Sequence, residues 1–350
     1  MTAPVKMRQI AERAQVSVGT VSHVINGSAK VREKLKLRVL EAIRSLGYQP
    51  SQLARGLRRN QTNMWGMIIP DVTNPFFPAV VRGVEDVAYE RSYRVVLCNT
   101  DHDPSKEISY LNELRSYRLA GILIIPASES VLGPQLHSMV TSGPPVVCID
   151  RRPGGWDGDV VLVDNEAGAY VATGHLLRMG HRRIAVITGP LNLTNAAQRL
   201  QGFTKAVEEA KITIDPKYVQ QARFTRQSGY ESAVQLLRMT PRPTGIFSCN
   251  DMMALGVLSA IRELGLRCPQ DVSLVSFDNL DFGEFTDPAL TSVHHPGYQL
   301  GTSAANLLLE RIDGLKQPPK EIGLLTELKV RNSVGPVPHQ PLRSTRHPAR

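Results

Sequence analysis

Apolar residues recur at three- and four-residue spacing in three short stretches near the start of the chain. Ile10, Ala11 and Ala14 share one face of a helix over residues 7–14. Ser17 stands as an N-cap before a second helix over 18–25, which has Val21, Val24 and Ile25 on one side. A third helix, over 32–46, carries Leu35, Val39, Ala42, Ile43 and Leu46 as a stripe. Gly47 ends it and Pro50 prevents its continuation. Two short helices joined by a turn of about three residues have the form of a helix-turn-helix, and the third closes its core.

From Trp65 the pattern changes. Runs apolar on both faces, such as Ile122-Leu123-Ile124-Ile125, read as buried parallel strands. Strands over 67–70, 94–98, 121–126 and 146–149 alternate with helices over 76–91, 105–117 and near 132–141. The rhythm restarts near Val160, with strands over 161–163, 184–187, 219–224, 246–249 and 272–277 between helices. A strand over 291–294, a helix over 298–312 and a strand over 322–328 end the pattern. The expected fold is a small all-α helix-turn-helix head followed by an α/β body of two doubly wound parallel-sheet subdomains. The expected boundaries are a head at 1–50, a hinge and linker at 51–64 and a body at 65–334. Within the body, 65–163 with 292–322 form one subdomain and 164–291 with 323–334 the other. Residues 335–350, rich in proline and arginine without acids, are expected to be a disordered tail.

Charge sharpens the division. Up to Asn60 there are twelve Lys and Arg against three Glu, which accounts for the whole net charge of +9. A basic head on a neutral body points to a polyanion bound by the head alone. Between them, Ser51–Leu57 reads as a helix too short to stand alone, further weakened by Gly56. It is a hinge that folds when held by a partner, or else a plain linker. The four cysteines, Cys98, Cys148, Cys249 and Cys268, show no close pairing and suit free thiols in a reducing, cytoplasmic setting. No apolar run approaches a membrane span, and no secretory leader is expected.

The run from Ile10 to Gly27, together with Leu46-Gly47-Tyr48-Gln49-Pro50 and Leu53-Ala54-Arg55-Gly56-Leu57, resembles the lactose and galactose repressor family, and the similarity extends to about Val330. The resemblance implies a second helix that enters the major groove of a pseudo-palindromic double-stranded DNA operator. Ser17, Val18, Gly19, Thr20, Ser22, His23 and Asn26 would face it, with Tyr48 nearby. It also implies hinge helices from two subunits of a homodimer meeting in the minor groove, where Leu57 wedges between base pairs, Ala54 packs closely and Arg55 meets phosphate or the groove floor. Three positions depart from the family pattern: Gln15 stands where Gly is frequent, His23 where Arg is frequent, and Gly19 carries no side chain to read with. An operator sequence therefore does not transfer.

In the body, polar groups just after strands and aromatics at helix starts are the candidate ligand contacts. These are Asp71, Asn74, Phe76, Phe77, Asp150, Asn195, Arg199, Phe224, Asn250 and Asp278. The resemblance places Arg199, Asn250 and Asp278 where sugar-binding relatives hold hydroxyls, and Phe76, Phe77 and Phe224 at wall positions. For Arg199 and Asp278 an interdomain ion pair is the alternative. Leu193 and Asn195, where purine-binding relatives carry other charged or hydroxyl groups, favour a sugar or polyol. Trp156, in the glycine-rich loop 151–159, reads as a lid or as plain surface. No phosphate-cradling glycine loop, serine elbow or metal-spaced histidine pair appears, and His294-His295 would point to opposite faces of a strand. The expected protein is a ligand-controlled repressor, not an enzyme, with no cofactor, metal or membrane partner. An activator or dual regulator, and a member responsive to a purine or another metabolite, are the alternatives.

Overall fold

The computed structural model describes residues 5–26, 31–48, 62–129 and 132–337. The chain divides into two compact units, Met1–Thr62 and Asn63–Arg350. Among the described residues the first contains three helices, α1 (Met7–Ala14), α2 (Val18–Asn26) and α3 (Glu33–Leu46). Ile10, Ala11, Ala14, Val21, Val39 and Ala42 are buried between them, as the apolar spacing requires. Ser17 caps α2 by accepting from the backbone N–H of Thr20 at 3.1 Å. Gln15 ends α1 in the left-handed region, with φ 51°, and Arg38 Nη2 donates to its Oε1 at 3.2 Å. The hinge residues Ala54, Arg55, Gly56 and Leu57 lie outside the described residues.

Among its described residues the second unit contains two six-stranded sheets. The first has the order β11-β5-β4-β3-β1-β2, from β1 (Met64–Ile69), β2 (Arg94–Asn99), β3 (Gly121–Ile124), β4 (Val146–Ile149), β5 (Asp159–Val163) and β11 (Glu321–Leu324), all paired in parallel. The second has the order β12-β10-β9-β8-β6-β7, from β6 (Ile184–Thr188), β7 (Val219–Gln221), β8 (Gly245–Ser248), β9 (Ser273–Asp278), β10 (Thr291–His294) and β12 (Glu327–Lys329). Only the β10–β12 pairing is antiparallel. Helices cover both faces of each sheet, which is why β3, β4 and β8 are buried at every residue. Two of these helices, Phe76–Glu90 and Gly297–Ile312, touch backbone to backbone. A Cβ at Gly83 would sit 2.2 Å from the Tyr298 carbonyl oxygen, so only glycine admits that approach.

Three expected boundaries move. β10 pairs with β9 in the second sheet, so the chain returns to the first half after His294 rather than at residue 291. The predicted strand 322–328 is two strands, because Leu325 and Thr326 carry the chain from one sheet to the other. Gly335 to Val337 do not belong to a disordered tail. The Gly335 carbonyl lies 3.0 Å from His181 Nε2, and the Val337 N–H donates to the Met179 carbonyl at 3.0 Å. The remainder of that segment, 338–350, lies outside the described residues.

Candidate functional site

In both sheets the strand order reverses beside the first strand of the half, between β1 and β3 and between β6 and β8. Crevices at such reversals, at the carboxyl ends of the strands, are where doubly wound sheets bind ligands. The two crevices face each other across a narrow cleft, whose cavity volume is about 20 Å³. Nine of the ten predicted ligand residues line it: Asn74, Phe76, Phe77, Asp150, Asn195, Arg199, Phe224, Asn250 and Asp278. Asp71 does not, because its carboxylate accepts from the N–H and the hydroxyl of Thr73 and holds the turn after β1.

His102, Arg151 and His295 complete the lining. Arg151 follows β4 beside Asp150 and is a strand-end residue by the same rule, whereas His102 and His295, past the ends of β2 and β10, are the two that the sequence reading missed. His295 is not a strand residue paired with His294. It sits past the end of β10 and enters the cleft, where its ring stacks on Phe76 with centroids 4.1 Å apart. Trp156 is neither lid nor surface. It is buried in the first half and donates through Nε1 to the Asp159 carbonyl at 3.2 Å.

Arg199 is the most heavily engaged group. Its Nε donates to Asn165 Oδ1 at 2.8 Å, its Nη1 donates to the Cys249 carbonyl at 2.6 Å, and its guanidinium lies 3.7 Å over the Phe277 ring. Asp278 Oδ1 lies 3.6 Å from Nη1 and 3.3 Å from His295 Nδ1. Arg199 and Asp278 both belong to the second half, so their pair is not an interdomain bridge. The bridges are others: Asn195 Nδ2 donates to Asp150 Oδ2 at 3.0 Å, and the Thr194 N–H and hydroxyl donate to Glu129 Oε1 at 2.7 and 2.8 Å.

Four buried atoms of the cleft have no hydrogen-bond partner: Asp150 Oδ1, Arg151 Nε, Asn195 Oδ1 and His295 Nε2. His295 Nε2 lies 3.2 Å from Asp150 Oδ1, within ion-pair distance but without the alignment of a hydrogen bond. Buried polar atoms left unsatisfied are costly, so their gathering on one cavity marks a place built for a polar guest. Backbone strain converges on the same place. His102, Asp150, Phe224 and Asp278 hold φ of 60°, 63°, 58° and 108°, conformations that cost non-glycine residues roughly 1–3 kcal/mol each.

Burial opposes ionisation of Asp150, yet the adjacent His295 and the charges of Arg151 and Arg199 outweigh it and lower its pKa to about 2. Beneath the cleft, burial and then the charge of Asp278 push Asp251 up to about 7. Its oxygens accept from the Leu280 N–H at 2.7 Å and the Ser292 hydroxyl at 2.8 Å. Because the folded pKa lies above the unfolded one, Asp251 costs stability progressively as pH rises from the ordinary carboxylate range to about 7. Half-buried His102 and buried His175 and His181 titrate in the opposite sense, so the comparison that isolates Asp251 is between the wild type and Asp251→Asn. The variant is expected to gain stability relative to the wild type between about pH 4 and pH 7 in denaturant titrations. A constant difference across that range would show that Asp251 ionises freely.

In the head, Ser17, which caps α2, and Val18, Gly19 and His23 on it are exposed, and Thr20 and Ser22 on α2 are half-buried. The Ser17 and Thr20 hydroxyls lie 3.0 Å apart. No side chain crowds Gly19, where the nearest heavy atom to an added Cβ would be Ser17 Oγ at 3.6 Å. Tyr48 is half-buried against the head core, and the Asn26 side chain lies outside the described residues. Among those residues, no helix is long and apolar enough to cross a membrane.

Residues 6–51 match the lacI family of bacterial regulatory proteins, and residues 173–334 match a periplasmic binding protein-like domain. The HTH-type transcriptional repressor PurR of Haemophilus influenzae (strain PittEE) is 40% identical over 332 residues, covering 94% of this chain and 98% of the relative. That of Histophilus somni (strain 129Pt) is 37% identical over 328 residues, with the same coverage of 94% and 98%. Among solved structures, the Lac repressor dimer bound to operator and the anti-inducer ONPF is 25% identical, with a TM-score of 0.85 over 95% of this chain and 99% of that one. A complex of the transcriptional regulator CelR with cellobiose is 30% identical, with a TM-score of 0.72 over 94% and 99%. The chain belongs to the LacI family of DNA-binding transcriptional repressors, which are regulators and not enzymes.

Proposed function

We propose that operator affinity in this repressor is controlled by a small neutral polyhydroxyl ligand, a sugar or polyol, held in the cleft between the two halves. The observation that carries this reading is the set of four unsatisfied buried atoms around a narrow cleft walled by Phe76, Phe77 and Phe224. Asp150 Oδ1 and Asn195 Oδ1 require donors, Arg151 Nε requires an acceptor, and the role of His295 Nε2 is set by its tautomer. A hydroxyl both donates and accepts, so a ring bearing several can meet all four, while its C–H face lies on the aromatic walls.

A purine is the second reading, favoured by the purine-responsive PurR relatives and by the aromatic pair Phe76 and Phe224 on one cavity. Leu193 weighs against it, because it is buried in the apolar core of the second half and offers a base no polar contact. The α2 face and the hinge segment of a homodimer would read a pseudo-palindromic duplex. The ligand would act by tightening or releasing the cross-cleft contacts of Asp150 with Asn195, Glu129 with Thr194, and Phe76 with His295. A coupling of about 1–3 kcal/mol would change operator affinity about 5–150-fold.

A thermal-shift panel of sugars, polyols, sugar phosphates and nucleobases tests the ligand class. Saturating sugar or polyol is expected to stabilise the protein by about 2–4 kcal/mol, a shift of several degrees. A shift confined to nucleobases would replace this reading with the purine one.

A further inference from the structure

The helix Thr194–Glu209 carries two ligand residues of the cleft, Asn195 and Arg199, yet its own sequence does not cap it. Its N-cap position is Leu193, whose side chain makes no cap and is buried in the apolar core of the second half. Its neighbours differ. The helices that start at Asn165, Arg226 and Asp251 are capped by Asp164, Thr225 and Asn250, which accept from the N–H groups of Ala167, Ser228 and Met253. At Thr194 the acceptor comes from the first half instead. Glu129 Oε1 takes both the Thr194 N–H and the Thr194 hydroxyl, at 2.7 and 2.8 Å.

We propose that Glu129 is a specificity-determining residue for the effector. Its carboxylate is a built-in anion at the start of the helix Thr194–Glu209, so that the closed cleft admits neutral ligands and rejects phosphorylated ones. This rests on the proposed reading of the cleft as the site of a neutral effector.

Three observations support this role. Glu129 is held in place: its carbonyl accepts from the Gly154 N–H at 2.7 Å, and two residues earlier the Ala127 N–H donates to buried Glu107 Oε1 at 2.7 Å. Its surroundings favour an anion. Burial raises its pKa, but the hydrogen bonds from Thr194 at the helix N-terminus and the charge of Arg151 oppose that rise. Arg151 is itself 2% exposed, and its Nε has no hydrogen-bond partner. A helix N-terminus, a hydroxyl and a guanidinium are the donors that would hold a free phosphate if the carboxylate were absent.

A phosphorylated ligand therefore meets a filled position. To reach Thr194 it must displace Glu129, which strands a buried carboxylate, or lie beside it, which sets two anions together. Nor does the cleft hold a guanidinium to spare: Arg151 already faces Asp150 and Arg199 faces Asp278, each at 3.6 Å. A hydroxyl meets neither penalty, because it donates to a carboxylate as readily as it accepts from an N–H.

The test compares the full-length wild type with Glu129→Ala and Glu129→Gln. The alanine variant vacates the position beside Thr194, so sodium formate and inorganic phosphate are expected to raise its melting temperature by a few degrees above potassium chloride of equal ionic strength. Neither should do so in the wild type, nor in the glutamine variant, whose amide oxygen still caps the helix. Calorimetry then compares glucose with glucose 6-phosphate and ribose with ribose 5-phosphate. The phosphate ester is expected to bind the wild type at least about tenfold more weakly than its parent sugar, and the alanine variant with most of that difference erased. Loss of a merely structural contact would weaken both members of a pair equally. The glutamine variant, which keeps the cap and loses the charge, is expected to narrow the difference about threefold, and it decides the matter if the alanine variant does not fold. Formate and phosphate that act alike on the wild type and the alanine variant, or a pair difference that survives in both variants, would overturn the role of Glu129 and leave the polyhydroxyl reading in place. A wild type that prefers the phosphate esters would overturn both. Absence of binding by every sugar would overturn the polyhydroxyl reading, and stabilisation of the alanine variant by inorganic phosphate, or its absence, would then decide for or against Glu129.

Discussion

Arg199→Met is expected to abolish the response to ligand and to lower the melting temperature by on the order of 10 °C. The side chain is 3% exposed and stands between Asn165, the Cys249 carbonyl, Asp278 and the Phe277 ring. Methionine keeps much of the volume over Phe277 but supplies neither donors nor charge. Asp278 would then be a buried carboxylate without its cation, and the Cys249 carbonyl would lose its donor. Removing one member of such a buried cluster costs about 3–5 kcal/mol. Arg199→Lys separates charge from geometry. It should recover much of the stability but little of the ligand response, because an ammonium cannot reproduce the fork. A methionine variant with normal melting and a normal ligand shift would remove Arg199 from the centre of the site.

A chain lacking residues 1–62 is expected to lose operator binding entirely while retaining its ligand-induced thermal shift. The two compact units have separate cores, so the second should fold without the first. The basic excess that accounts for the net charge of +9 lies up to Asn60, leaving the remainder balanced. Full-length binding should fall steeply with salt as condensed counterions are released, and the truncated chain should show no such dependence. Salt-dependent DNA binding by the truncated chain would place a second polyanion surface on the body.

Much of this was legible because burial imposes periodicity. Ile10, Ala14 and Val21 repeat at helical spacing because one side of each head helix faces a shared core. Ile122 to Ile124 are uninterrupted because both faces of β3 are covered. Asp150, Asn195, Asn250 and Asp278 were visible as polar residues closing apolar strands, which is where two parallel sheets place ligand groups. The same logic misplaced Asp71, since a carboxylate after a strand can equally hold a turn. His295 was hidden by His294, because the pair reads as one strand end and only the structure shows the chain leaving the sheet between them. Strain at Phe224 has no sequence signature, because a phenylalanine with φ 58° looks like any other. The transfer from β11 to β12 was likewise concealed within one apolar-looking run.

The central claim is that occupancy of the cleft changes the protein's hold on DNA. Its most direct test is a fluorescence-anisotropy titration of the full-length protein against a duplex selected from a random pool, with and without a compound that gives a thermal shift. The account predicts an enriched, pseudo-palindromic site whose affinity changes about 5–150-fold with the compound, and no change in Arg199→Met. An operator affinity that stays constant while the compound saturates the cleft would contradict it.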